Sequence, residues 1–294
     1  HDTLFFYHYD QLEGVRVGRW KYFRKLHRYV WPVPLDAAAV ANKLGKDQLG
    51  YRWPLLYDLQ IDPGENYNVI DTYPDAEATV RRSAWIVVAH GSFELADYPR
   101  AENAYARVLT VTPEDDESRQ AVVDGLAAAI YKQGEQANLL QDYGEAARHF
   151  LRIKELAPTS SIRSGAEYDA AVALMKLADW ARASSVLEEF RSSHPEHELG
   201  AEATKQLAHI YREDGQIERS AAEHERIAAE ATDPELGREA LLAAGELYDE
   251  AGALDEAVRV YESYVAQYPR PLDLAMETRT RLAEIFKARS DYPR

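Results

Sequence analysis

Few side chains in this sequence have the types and spacing that chemistry needs. The densest group is a basic run, Arg16, Arg19, Lys21, Arg24, Lys25 and Arg28, interleaved with Trp20, Tyr22, Phe23, Tyr29 and Trp31. Cations set among aromatic rings suit an anionic substrate or nucleic acid. Arg16, Arg19, Lys21 and Arg24 are the candidate anion contacts within that run. The same alternation arises without any ligand when a hairpin keeps one face wet. Asp58, Asp62 and Glu65 are carboxylates at close spacing, but they lack the Asp-x-Asp-x-Asp-Gly order of a calcium loop. Asp62-Pro63-Gly64-Glu65 reads instead as a turn. His194 and His197 flank Pro195, which denies them a shared helical face for a metal. His209 and His224 read as packing or surface residues of helices, and His8 with Asp10 lies at a strand end. Cysteine is absent, which excludes disulfides, thiolate metal sites and a cysteine nucleophile. The sequence offers no metal site and no catalytic group.

The elements that must position these residues change along the chain. With 294 residues, 46% of them hydrophobic, the chain buries a real core and is no disordered tail. No stretch approaches 18 consecutive apolar residues, so no membrane span is expected. A net charge of −16 argues against the phosphate backbone of nucleic acid as main partner. Residues 1–76 hold 9 Lys+Arg and 10 Asp+Glu, with 14 of the 31 aromatics and only 5 alanines. Residues 77–294 hold 25 Lys+Arg, 40 Asp+Glu and 40 alanines. The first composition suits strands and the second suits helices. A boundary near Asp75 therefore separates a small β segment, 1–76, from a helical part, 77–294. Acidic stretches such as Glu114–Glu117 read as solvated loops, although the −15 of the helical part also suits a basic partner.

The helical part is periodic. Small residues recur at Ala89, Gly134, Ala171, Ala208, Gly245 and Ala283, at spacings of 45, 37, 37, 37 and 38. Twelve residues after each of the first five comes a second small residue: Ala101, Ala146, Ala183, Ser220 and Ala257. Four further on stand Tyr105, Phe150, Leu187, His224 and Tyr261. Eight beyond that, Pro113, Pro158, Pro195 and Pro269 close four of the five units, and the other has Pro234 two residues late. Small residues let two antiparallel helices approach, a bulky one fills the gap beside them, and proline ends the second helix. Tyr211 and Tyr248 fall on the apolar face of their helices, and Trp85 opens the first unit.

This pattern resembles the tetratricopeptide repeat (TPR) family over residues 82–294. Leu241, Gly245, Tyr248, Ala257, Tyr261 and Pro269 all stand at motif positions, and Trp85, Ala89, Ala101, Tyr105 and Pro113 fit nearly as well. A usual unit has about 34 residues; here the period is 37, and the extra residues fall between repeats. The resemblance implies a mainly α solenoid of antiparallel helix pairs, about five and a half units long. It also implies binding of a partner peptide or helix in a concave groove. The chain ends within a sixth unit, at Leu282, Ala283 and Phe286, with no polar capping helix, as a truncated array would. The long linkers and the run Tyr248–Pro269 are similar to periplasmic bacterial members of the family.

Thr3–Tyr9 reads as a buried strand, and Gly14–Phe23 as a hairpin about Gly18-Arg19. Pro54–Leu59 follows as a strand before the Asp62–Glu65 turn, and Pro74 opens a helix. This series, with Asp62-Pro63-Gly64-Glu65 and Asn68, resembles the C-terminal subdomain of the sulfatase family. That resemblance implies a small antiparallel sheet with a terminal helix, packed on a large catalytic domain. There the basic run would face sulfated sugars, and His8 would lie near the active cleft. Sulfatases use a formylglycine made from Cys or Ser in a Cys/Ser-x-Pro-x-Arg motif, with calcium held near their N-terminus. Here the one Ser-x-Pro, Ser193-His194-Pro195, is followed by Glu196-His197 and lies inside a repeat.

Two functions stay open: a TPR interaction scaffold, and the C-terminal part of a sulfatase carrying a TPR array, with calcium and catalysis in a domain upstream. Both families imply a periplasmic or secreted location. We expect these 294 residues, given an aryl sulfate and calcium, to show no release of sulfate above buffer. Metal-dependent turnover in that assay would refute the expectation.

Overall fold

A computed structural model describes residues 3–8, 11–23, 55–65 and 67–289. Arg24, Lys25, Arg28, Tyr29, Trp31 and Asp10 lie outside the described residues. The chain divides into two compact units, residues 1–132 and 133–294.

The first unit opens with strands β1 (Thr3–His8), β2 (Gln11–Val17), β3 (Trp20–Phe23) and β4 (Leu55–Asp58). They form one antiparallel sheet in the order β1-β2-β3-β4. The β2–β3 turn is the two-residue Gly18-Arg19, with Val17 opposite Trp20, and Gly18 takes φ 54°, which costs glycine no steric strain. Alternation sends Val15, Tyr22 and Leu56 to one face, and Phe23, Leu55 and Tyr57 to the other. Helix α1 (Pro74–Glu94) covers the first face: Val80 packs in one buried cluster with Val15 and Leu56. Phe23, Leu55 and Tyr57 form a second buried cluster with Phe6 and Leu59 beside it. Further along α1, Ala89 and Ser92 are buried, as are Ala101, Ala104 and Tyr105 of α2 (Tyr98–Val111). One helix thus serves both the sheet and the first helix pair. Helix α3 (Arg119–Leu139) begins in this unit, where Gly125 lies against the Tyr105 ring.

The second unit continues α3 and adds α4 (Tyr143–Leu156), α5 (Ile162–Lys176), α6 (Trp180–Ser193), α7 (Gly200–Glu213) and α8 (Ile217–Glu230). Helices α9 (Pro234–Glu250), α10 (Leu254–Gln267) and α11 (Leu272–Arg289) complete it. Consecutive helices pair as α1/α2, α3/α4, α5/α6, α7/α8 and α9/α10, and α11 follows. The chain is a TPR-like, mainly α fold of antiparallel helix pairs with a small antiparallel sheet at its start.

One turn joins the helices of every pair. Its second residue is left-handed: Ala96 (φ 58°), Gln141 (61°), Ala178 (54°), Gly215 (74°) and Gly252 (77°). The next residue's N–H reaches back to the carbonyls of Ser92, Ala137, Leu174, Tyr211 and Tyr248 at 2.8–3.0 Å. These are Schellman caps, which satisfy carbonyls that the helix end leaves without partners. In three turns that same residue is an aspartate, and it also starts the next helix. Asp97, Asp142 and Asp179 accept from the N–H groups of Arg100, Glu145 and Arg182.

The helices of a pair meet where one has almost no side chain. A Cβ built on Gly134 would lie 2.5 Å from the Phe150 ring, and one on Gly245 would lie 2.6 Å from the Tyr261 ring. Arginines link successive pairs. Arg259 on α10 grips both oxygens of Glu225 on α8 at 2.8 and 2.7 Å, and Arg281 on α11 grips Asp249 on α9 at 2.5 and 2.8 Å. The Arg259 contact holds the Glu225 carboxyl below the usual range.

Gly134→Ala and Gly245→Ala should each destabilise their pair by about 1–3 kcal/mol, because a packed ring must move. Gly91→Ala in α1 meets nothing within 4 Å and should stabilise by about 0.5–1 kcal/mol. Urea unfolding, with amide exchange to locate the effect, reads both signs; equal effects at the three sites would refute the packing account.

Candidate partner-binding site

Three chain segments converge at the turn end of the second unit. Glu135, Asn138 and Leu139 come from the last turns of α3, Tyr143 from the start of α4, and Val172 and Lys176 from the end of α5. Together they line an open pocket of about 490 Å³. The turn chemistry fixes this arrangement. Gln141 N–H bonds the Asn138 carbonyl at 3.0 Å and Asp142 N–H the Ala137 carbonyl at 2.9 Å, which holds the end of α3 against the start of α4. Ala178 and Asp179 do the same for α5 through Met175 and Leu174. Leu139 is left 84% exposed, and the neighbouring Leu140 and Leu177 are exposed as well. Exposed leucines beside a concave surface are candidates for contact with a ligand. Lys176 makes no ion pair among the described residues. The pocket therefore offers an apolar floor and one cation at its rim.

The basic stripe of the hairpin is placed differently. Arg16 and Lys21 stand opposite each other on one sheet face. Lys21 donates to Glu65 at 2.6 Å, with its ammonium 4.6 Å from the Phe6 ring centre. Arg19 turns to buried Asp58 at 2.7 Å, and Arg16 Nε donates to the Gly18 carbonyl at 2.9 Å. Asn68 Oδ1 accepts from the N–H groups of Leu56 and Ile70, which ties the Asp62–Glu65 loop to β4. Sequence reasoning missed the carboxylate partners because 39 residues separate Arg19 from Asp58 and 44 separate Lys21 from Glu65. Asp58, Asp62 and Glu65 serve different bonds: Asp58 accepts from Gln60 N–H, Asp62 from Tyr67 N–H, and Glu65 from Lys21. Among the described residues no group of three or more metal-ligating side chains gathers.

His197 and Ser164 resemble a nucleophile and its base, with Nε2 3.0 Å from Oγ. The tautomer runs the wrong way. Leu199 N–H donates to His197 Nδ1 at 3.1 Å, so the ring proton sits on Nε2 and is given to Ser164. A base would need its lone pair at that nitrogen. His194 Nε2 lies 3.2 Å from buried Glu167, which Arg163 also holds at 2.7 Å. This cluster stitches the α6–α7 connection to α5. His209 stacks edge-on to Trp180, and His224 Nδ1 bonds the Ser220 carbonyl.

The small and bulky residues of the repeat pattern lie inside the helix pairs. Ala89, Ala101, Ala146, Ala171, Ala183, Ala208 and Ala257 are buried, as are Tyr105, Phe150, Tyr211, Tyr248 and Tyr261. Gly134 and Gly245 are buried too, and Trp85 is half-buried. Residues 239–270, spanning most of α9 and all of α10, match the model of the tetratricopeptide repeat.

One helix pair of the array, α9 with α10, thus matches the tetratricopeptide repeat.

Residues 1–96 match the model described as the C-terminal region of aryl-sulfatase, a span that runs through the whole of α1. A TPR-repeats protein from Bacteroides fragilis is 14% identical, covering 69% of this chain and 98% of its own, with a TM-score of 0.42. MamA from Desulfovibrio magneticus RS-1 is 18% identical over 64% of this chain and 94% of its own, with a TM-score of 0.36. YrrB, described as a TPR protein with an unusual peptide-binding site, is 18% identical over 67% and 90%, with a TM-score of 0.35. No curated protein matches this chain.

Long-range ¹H–¹⁵N spectra at pH 8 should show His197 as the Nε2–H tautomer. The Nδ1–H tautomer would refute the assignment and restore the dyad.

Proposed function

We propose that this chain is an interaction scaffold, which holds a peptide segment of a partner protein in the groove between the ends of α3 and α5. The observation that carries this reading is the open pocket of about 490 Å³, with Leu139 and Val172 at its surface and Lys176 at its rim. A peptide that inserts an aliphatic side chain and presents a neighbouring carboxylate to Lys176 meets both features. The repeat match at residues 239–270 supports the reading, since arrays of such repeats build extended binding surfaces. No helix among the described residues is long and apolar enough to cross a membrane.

A second reading rests on the match of residues 1–96 to the C-terminal region of aryl-sulfatase. In it the chain is the C-terminal part of a sulfatase. The nucleophile and calcium would belong to a domain upstream, and Arg16, Lys21 and their neighbours would lie toward an anionic substrate. A Cys/Ser-x-Pro-x-Arg motif encoded upstream of His1 would favour it. We also infer a periplasmic or secreted location in a bacterium, on the resemblance of both parts to families often exported there; the lack of cysteine is compatible with it.

Peptides selected by display on the whole chain and measured by calorimetry test the first reading. Val172→Asp and Lys176→Glu should each weaken the selected peptides by about tenfold or more, with the helical far-UV signal unchanged. Unchanged affinity in both variants would overturn it.

A further inference from the structure

Helix α7 begins without a side-chain cap of its own at Leu199. The N–H groups that a helix start leaves without partners are taken up here by one residue of the α6–α7 connection. His197 accepts Leu199 N–H on its ring Nδ1 at 3.1 Å and Gly200 N–H on its carbonyl at 2.8 Å. Leu199 in turn opens the helix ladder, since its carbonyl accepts Ala203 N–H at 2.8 Å. The other ring nitrogen of His197 lies 3.0 Å from Ser164 Oγ on α5, and Phe190 of α6 packs edge-on with ring centres 5.1 Å apart. One half-buried imidazole thus ties the start of the fourth helix pair to the third.

Imidazole is also the side chain that gains a charge between pH 8 and pH 5. A proton from solvent goes to Nδ1, because Nε2 already carries its hydrogen. The Ser164 bond survives, since Nε2–H still donates. The Leu199 bond does not, because Nδ1 changes from acceptor to donor and then faces another donor. The groups around the ring do not answer the new charge, and among the described residues no carboxylate pairs with His197. His194 lies 6.2 Å away, ring to ring, and its Nε2 faces Glu167 of α5, which Arg163 already holds. Arg191 of α6 is held by Glu223, Glu202 of α7 bonds Gln206 and Lys205, and Glu196 and Glu198 of the connection are exposed to water.

We propose that His197 is an acid-sensitive latch at the joint between the third and fourth helix pairs: protonation at Nδ1 releases the Leu199 N–H and loosens the start of α7. His194 acts in the opposite sense, because its cationic ring meets the buried Glu167 carboxylate at 3.2 Å and is held more firmly. The two effects oppose each other in the stability of the whole chain. The response is therefore local to the first turn of α7. It does not depend on what the α3–α5 pocket binds.

Amide exchange and ¹⁵N spectra of the whole chain between pH 8 and pH 5 test the latch. Protection of the Ala203 amide, corrected for the intrinsic pH dependence of exchange, should fall at least about fivefold, the loss expected of a helix cap. Its midpoint should coincide with the pH at which the His197 ring nitrogens change shift. Protection of the Ala257 amide at the start of α10 should stay level. His197→Asn keeps an acceptor two residues before Leu199 through an Asx turn and takes up no proton, so the fall at Ala203 should vanish in it. His194→Gln should retain the fall. Equal Ala203 protection at both pH values, the same fall in His197→Asn, or midpoints that do not coincide would overturn the proposal. A fall abolished by His194→Gln would assign the response to the Glu167 pair and overturn it as well.

Discussion

The close approach of two helices at a residue with little or no side chain is the constraint on which this molecule depends. At Gly134 and Gly245 an aromatic ring from the partner helix occupies the space where a Cβ would be. That contact can form only if the connecting turn brings the helices back at the right angle. The turn does so by placing one residue in the left-handed region and returning the next N–H to a carbonyl five residues earlier. Interlock and turn are thus one device. Its repetition fixes which helix faces are sealed and which stay open, and the pocket beside Leu139 is a by-product of that geometry.

The left-handed position also shows how this device tolerates sequence. Two of the five turns use glycine there, while Ala96, Gln141 and Ala178 accept backbone strain of about 1–2 kcal/mol each. The three strained turns are those followed by Asp97, Asp142 and Asp179, whose carboxylates cap the next helix. A cap contributes about 1 kcal/mol, so strain and cap offset each other. The glycine turns are followed by Gln216 and Ala253, which make no such bond.

Several charges in this chain pair between helices. Arg259 with Glu225 and Arg281 with Asp249 bind residues 32 to 34 positions apart, close to one repeat. The hairpin follows the same logic, since Arg19 and Lys21 answer Asp58 and Glu65. Two cations of the basic run, Arg19 and Lys21, are thereby neutralised in space. In the same way the pair His197 and Ser164, suggestive by distance alone, is oriented by a backbone N–H into a structural bond.

The sequence by itself determined the helical class, the repeat period and the residues that seal each pair. Those properties depend on local propensity and on side-chain volume at fixed spacing, both of which are written along the chain. Ala89, Gly134, Ala171, Ala208 and Gly245 could be picked out for that reason, as could the Gly18-Arg19 turn. Only the tertiary structure decided the partners of Arg19 and Lys21, the tautomer of His197 and the cover that Val80 gives the sheet. It alone placed Leu139, Val172 and Lys176 around one pocket. Each of these depends on which residues of distant segments meet, and a repeating pattern specifies the shape of a unit without naming what lies across from it.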